Sequence, residues 1–398
     1  MAKGIPSFHQ ARLTQAREAR GLTGVNLATI AGVSASTISQ YEHGASKPTP
    51  EVLDKLAAAL NVPKPFFLRG VSPRQSTRFF YRSMSAATKS ARARAEARYG
   101  WLTEIAGYFE SYFDLPAVSL PALDVPPSFR QITHEMIDDY AAGCRQHWGL
   151  KEGPVPSMVR LLEKNGFVVS RCRLDADTLD AFSESDSTHR PFVILGAEKQ
   201  SCVRSRFDAA HELAHSIMHR GVEQRSLLTA QDHSLLEQQA HRFAAAFLLP
   251  EEDFAKDLVA ATLESFSALK ERWKVSMAAM IMRCAQLNIV NEQQEERLWM
   301  NLGRRGWRKR EPLDDILPVE QPKLLRQCVD MMLNQNFKTR SQIADELCLP
   351  VLDVEELAGL PDGYLSEGFG EIITLQFKGT KSAASGSESS DIIPFKVG

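Results

Sequence analysis

The sequence is poor in cysteine: six residues, at 144, 172, 202, 284, 328 and 348, with no Cys-x-x-Cys pair among them. That argues against a cysteine-built zinc ribbon, excludes a disulfide scaffold and fits a reducing cytoplasm. No uncharged apolar run approaches the ~18 residues that span a bilayer. The opening Met-Ala-Lys-Gly-Ile-Pro-Ser has no apolar signal core. A cytoplasmic protein without membrane contact is expected. Net charge is also scarce, at −2, and with 43% hydrophobic and 24% charged residues the composition is neither collagen-like nor wholly disordered. At ~100–200 residues per domain, 398 residues predict two to four domains.

The near-neutral total conceals an asymmetry. Residues 1–100 hold 15 Lys+Arg against 5 Asp+Glu, and residues 101–398 hold 32 against 44. A basic front on an acidic body suits contact with a polyanion, although charge alone also fits a solvated surface.

Phe8 to Leu68 reads as five short helices. The first ends at Gly21, the second is capped by Thr23 and stops at Gly32, and the third is capped by Ser34 and stops at Gly44. A fourth starts after Pro50, and a last turn follows Pro63 and Pro65. Two short helices joined by Gly32-Val33-Ser34 follow helix-turn-helix grammar: a tight turn, a plug and a cap on the helix that enters the major groove. Candidate DNA contacts are Ser34, Ala35, Ser36, Thr37, Ser39, Gln40 and Lys47. Gln40 can bond an adenine edge in two places and Ala35 can touch a thymine methyl. Thr37 and Ser39 suit phosphate equally well, which positions without specifying.

LTxxxLATIAGVSxSTISQYEHGxSKPTPEVLDKLAAAL resembles the phage-repressor-like (XRE, Cro/CI) helix-turn-helix family over about 60 residues. The resemblance implies an ion pair between Glu42 and Arg17 behind the recognition helix. The family often places Gln at the start of the second helix to hold a phosphate; this chain has Gly24.

Arg69 to Arg98 contains eight Lys/Arg, one acid and the aromatic run Phe79-Phe80-Tyr81. Such a segment can grip phosphates and stack bases. The preferred reading is a linker whose aromatics dock on the next domain, followed by a basic helix from about Ala86 to Leu115-Pro116. PAVSLPALDVPP is a Pro-rich connector.

Helices are expected over Ile132–Trp148 and Val155–Asn165, strands in GFVVSRC, TLDAFSE and PFVILG, and a helix from about Arg206. That helix carries His211-Glu212-x-x-His215. On a helix, i and i+4 stand one turn apart, ~6 Å of rise, so both imidazoles can meet one zinc ion. Glu212 shares their side and can take a proton from zinc-activated water. The third ligand is sought in LLEQQAHRFAAAFLLP, where Glu237 recurs with Ala240, Ala244 and Phe247 at helical spacing. An HExxH helix plus a glutamate from the next helix is the gluzincin arrangement. His241 is the rival ligand, or it bonds a developing oxyanion. His219 lies ~12 Å beyond His211 along a helix, too far for the same ion, and suits the negative helix end. His189 and His233 read as loop residues, and Cys202 as a buried core thiol.

RSRFDAAHELAHSIMH with EQQAHRFAAAFLLP resembles the ImmA/IrrE family of zinc-dependent endopeptidases across residues 130–300. FFYRSMSAATKSARARAEARYGWL, LKERWKVSMAAMIMR and GWRKREPLD resemble single chains that join this peptidase to a repressor-like helix-turn-helix. The resemblance implies His211, His215 and Glu237 as zinc ligands and Glu212 as general base. It also implies cleavage of a helix-turn-helix repressor or antitoxin, triggered by stress or DNA damage. Where the family has Glu-Ala-Asn, this chain has Gln239-Ala240-His241.

Ser265 to Asn288 reads as helical, with Trp273, Val275 and the methionines in the core. Lys323 to Leu360 reads as a small helical unit for packing or dimerisation, with a second DNA reader disfavoured by its acids. Lys378 to Ser390 is low in complexity. The expected fold is mostly α with a small β-sheet. It divides into a five-helix repressor-like domain (1–70), a basic linker and long helix (71–125), a gluzincin-like α+β peptidase domain (126–300), a C-terminal helical domain (301–377) and a disordered tail (378–398). The expected function is a homodimeric regulator that binds a double-stranded DNA operator and is also a zinc endopeptidase acting on itself or a partner repressor or antitoxin. The competing readings are a non-enzymatic transcription factor with a structural or sensory zinc, and an antitoxin-like module.

Overall fold

The capping residues place the front helices where the sequence puts them. In the computed structural model they are α1 (Gln10–Ala19), α2 (Gly24–Ala31), α3 (Ala35–Glu42) and α4 (Pro50–Leu60), then a 3-10 turn, Lys64–Leu68. Thr23, Ser34 and Thr49 each accept a backbone N–H of the helix that they start, worth ~1 kcal/mol apiece. Gly32 closes α2 with φ of 64°, a left-handed turn that a side chain would strain. The structure describes residues 4–71, 79–81, 88–174, 181–184, 190–198, 201–220, 222 and 229–366. His189 and the tail from 378 lie outside them.

The long basic helix is α5 (Lys89–Glu110), three residues later than expected because Thr88 caps it. It docks on the front helices. Phe66 meets Trp101 edge-on at 6.0 Å, and Arg12 grips Glu104 at 2.7 and 2.9 Å. The C-terminal helices α14 (Leu324–Asn334), α15 (Arg340–Leu347) and α16 (Val351–Ala358) join the same core. Arg20 closes the contact with a two-pronged bond to Asp353 at 2.8 and 2.7 Å. The C-terminal unit therefore packs, as preferred from sequence.

A four-stranded sheet separates this core from a second one. Its order is β1-β3-β4-β2, with β1 Phe79–Tyr81, β2 Val168–Cys172, β3 Ala181–Glu184 and β4 Phe192–Gly196. β2 pairs parallel with β4; β3 is antiparallel to β4 and β1. Val168, Cys172, Phe182, Phe192 and Ile194 join the front core, while Val169, Ala181, Val193 and Leu195 join the central one. Side chains alternate across a strand, and with both faces covered the strands read as nearly continuous apolar runs. The run Phe79-Phe80-Tyr81 is thus an edge strand, which the linker reading did not anticipate.

The central core is built on α6 (His134–His147), α7 (Met158–Lys164), α8 (Cys202–Met218) and α9 (Ala230–Leu248), continued by α10 (Glu251–Asp257), α11 (Leu263–Trp273), α12 (Met277–Gln286) and α13 (Glu292–Arg304). α8 starts four residues before Arg206, because Ser201 caps it. The helical stretch expected over 265–288 breaks in two at Lys274, whose φ is 50°, before Ser276 caps α12. No described helix is long and apolar enough to cross a membrane.

Candidate metal centre and nucleic-acid interface

α8 is buried on nearly every side, so its polar residues need partners or a ligand. Two residues on its neighbour's inward face are small: Ala240 and Ala244 of α9 are fully buried, which lets the two helices approach closely. Thr229 and Asp232 form a capping box that starts α9. Arg206 anchors the near end of α8, donating to the Val155 carbonyl at 2.6 Å and pairing with Glu320.

His211 and His215 face Glu237 across this seam. Their Nε2 atoms are 3.1 Å apart. Glu237 Oε2 lies 3.2 Å from His211 Nε2, and Oε1 lies 3.6 Å from His215 Nε2. Among the described residues these three form a group able to hold a metal ion, with all ligand atoms within 4.8 Å of one another. The histidines are fully buried, and Glu237 retains 23% side-chain exposure on the open side. Burial pushes the His211 imidazole down to about 3, so it stays neutral with a lone pair to share. Burial alone would raise the Glu237 carboxyl, but its contacts with His211 and His215 outweigh that and hold it well below the usual range.

Two imidazoles and one carboxylate match the catalytic zinc donor set, His₂Glu with a place left open. Glu237 Oε2 is buried and makes no hydrogen bond of good geometry, and a cation between the three groups would satisfy it. The residues therefore fit zinc.

Glu212 is fully buried beside the two histidines. Ser183 of β3 donates its hydroxyl to Glu212 Oε2. No sequence signal identifies Ser183, because only the packing of β3 on α8 brings it there. His219 is fully buried too, and its Nδ1 is 2.8 Å from His215 Nδ1. It is the C-cap of α8, at the helix end where the sequence reading put it, and its ring faces His215 there. Its spacing, one turn beyond His215, was the available signal. His233 lies inside α9 and not in a loop. Cys202 is buried at the start of α8.

His241 sits on the rim. Its ring is 4.7 Å from that of His211 and tilted over Phe207 at 5.9 Å. Its Nδ1 is 2.8 Å from the Glu237 carbonyl. A carbonyl only accepts, so Nδ1 carries the proton, and Nε2 of the neutral ring is an acceptor. Donation to an oxyanion would need the protonated ring. Beside it opens a cavity of about 300 Å³ lined by Phe207, Asp208, His241, Ala279 and Met282 among others.

At the other end of the chain, α3 presents Ser34, Ala35, Ser36, Ser39, Gln40 and, after the helix, Lys47 to solvent; Thr37 is half-buried. Ser34 Oγ accepts the Thr37 N–H at 3.0 Å and meets Thr37 Oγ1 at 2.8 Å, so both hydroxyls serve the cap. Lys47 Nζ donates to the Pro6 carbonyl. Ile38 and Tyr41, on the opposite face, are buried. The implied pair is formed: Arg17 Nε meets Glu42 Oε1 at 2.6 Å.

Two family models match the chain. Residues 13–67 match one described as helix-turn-helix, and residues 162–285 match one described as the IrrE N-terminal-like domain, a peptidase family. No curated protein matches the chain. The candidate DNA contacts lie within the first span, and His211, Glu212, His215 and Glu237 lie within the second. The chain therefore joins an XRE-type helix-turn-helix, the mark of a DNA-binding regulator, to an IrrE/ImmA-like domain of metallopeptidase type.

Proposed function

We propose that this chain is a DNA-binding transcriptional regulator whose central domain is a working zinc endopeptidase. The observation that carries the reading is the convergence of His211 Nε2, His215 Nε2 and the Glu237 carboxylate, with Glu212 held alongside. A bound zinc ion supplies Lewis acidity there, polarising a carbonyl and making water acidic near neutral pH. Glu212 is the general base: its carboxylate takes a proton from the attacking water and returns it to the leaving amine. Ser183 holds one Glu212 oxygen and so aims the other. The cavity beside His241 receives a substrate side chain; its lining sets Phe207, Ala279 and Met282 beside Asp208, Arg308 and Asp314. Protonated on both nitrogens, His241 would be placed to donate to the polarised oxygen.

The substrate is the chain itself or a partner repressor or antitoxin, cut in response to stress. β1 supports the first choice. It belongs to the basic link, and Phe80 pairs with Ser183, whose hydroxyl reaches Glu212. Cutting in that link would part the DNA reader from the peptidase. Operator binding by a homodimer in the cytoplasm completes the reading.

The experiment is incubation of purified zinc-loaded protein, alone and with the repressor-like products of neighbouring genes, beside the Glu212→Gln variant. Cleavage by the wild type and none by the variant, at equal zinc content, is expected. A variant that still clips its target refutes the catalytic role.

A further inference from the structure

A chain of hydrogen bonds behind the histidines leads away from the metal side of the site. It begins at two backbone carbonyls in the turn before α6. Gln239 Nε2 donates to the Phe129 carbonyl at 2.8 Å and reaches the Ile132 carbonyl at 3.4 Å. Both oxygens only accept, so the orientation of this amide is fixed: its NH₂ faces them and its oxygen faces away. That oxygen lies 3.0 Å from His219 Nε2. An amide oxygen also only accepts, so His219 carries a proton on Nε2.

His219 is fully buried, with the Gln239 amide oxygen on Nε2 and the His215 ring on Nδ1, and burial disfavours the charged form, so the ring is neutral. A neutral ring with its proton on Nε2 has a lone pair on Nδ1. His215 Nδ1 is 2.8 Å from it and must donate. The proton of His215 is thereby placed on Nδ1, and its Nε2 lone pair points to His211 and Glu237, 3.1 and 3.6 Å away.

We propose that Gln239 and His219 are positioning residues: the carbonyl–Gln239–His219 chain locks His215 in the tautomer that can ligate a metal. Each link is polar and fully or nearly fully buried, with Gln239 at 3% exposure and His215 and His219 at 0%. The two carbonyls fix the direction of the Gln239–His219 link, and the neutral state of the buried His219 ring fixes the link to His215. A metal-bound histidine commonly donates its other N–H to a carboxylate or carbonyl, and removing that partner costs 10–100-fold in affinity. Here the partner is a second histidine, itself set by an amide two turns into the next helix. The proposal rests on the metal-site reading but not on peptidase activity.

The test uses the full chain with ¹⁵N-labelled histidine, as wild type, Gln239→Leu and Gln239→Glu. Long-range ¹H–¹⁵N spectra of the zinc-stripped protein read the His215 tautomer, and competition with a chromophoric chelator reads zinc affinity. The wild type is expected to carry the His215 proton on Nδ1. Gln239→Leu removes the acceptor for His219, and zinc affinity falls by about 10–100-fold. Gln239→Glu keeps the acceptor while losing both donations to the carbonyls. It should lose stability yet keep the tautomer and bind zinc more tightly than the Leu variant. A merely structural role of Gln239 predicts the reverse order, since Glu places a carboxylate against two carbonyls. A wild-type His215 protonated on Nε2, or a Leu variant that binds zinc like the wild type, overturns the proposal. Should the Leu variant not fold, the wild-type spectrum still decides. A wild type that binds no zinc sinks the metal reading, and the tautomer is judged separately.

Discussion

Acidifying the zinc-stripped protein from pH 7 to pH 5.5 should destabilise it through its buried histidines. In the unfolded chain a histidine titrates near ~6.5. In the folded chain burial, the largest cause, pushes His211 down to about 3 and His219 well below its usual range. Between those values the unfolded state binds more protons. Stability is therefore full above pH 6.5 and falls as the pH drops towards 3. Each such group contributes about 1.4 kcal/mol per pH unit. One unit below 6.5, the two together remove about 3 kcal/mol. For a unit of 150–250 residues that lowers Tm by about 6–12 °C. Differential scanning calorimetry of chelator-treated protein reads the shift. Exposed groups contribute equally to any variant, so His211→Gln should roughly halve the histidine share of the drop. A Tm that ignores pH over this range, or an undiminished drop in His211→Gln, refutes the burial argument.

Other outcomes follow from the same geometry. Zinc at a hundredfold its dissociation constant should stabilise the wild type by about 2.7 kcal/mol, whereas Glu237→Gln, nearly isosteric but uncharged, should show a much smaller rise in Tm. Gln40→Ala should lower affinity for the specific operator by ~1–3 kcal/mol and leave bulk DNA affinity unchanged in a salt-controlled binding assay; equal losses on both would displace α3 from the groove. Arg17→Ala should destabilise the front domain by ~1–3 kcal/mol in a urea titration, because Glu42 loses a partner at 2.6 Å.

Much of this molecule was legible because its signals are local. Thr23, Ser34 and Gly32 mark helix ends through contacts within a few residues. The His211–His215 spacing puts two imidazoles on one face by helix geometry alone, and the alanines beside Glu237 announce a helix that another can approach. What escaped depends on contacts distant in sequence. Ser183 reaches Glu212 only because β3 packs against α8. Gln239 reaches His219 only because α9 lies along α8. The edge strand Phe79–Tyr81 needs β3 as a template, and its flanking basic residues disguised it as linker. α10 and α13 were not read because they are polar on their exposed sides and carry few buried anchors: Phe254 in one, Leu298 and Leu302 in the other.

The most direct measurement is elemental analysis of the purified, zinc-reconstituted chain. The account predicts one zinc per chain in the wild type and in Glu212→Gln, and a large loss when His211 or His215 is replaced. A wild-type chain that stays free of metal after reconstitution contradicts it.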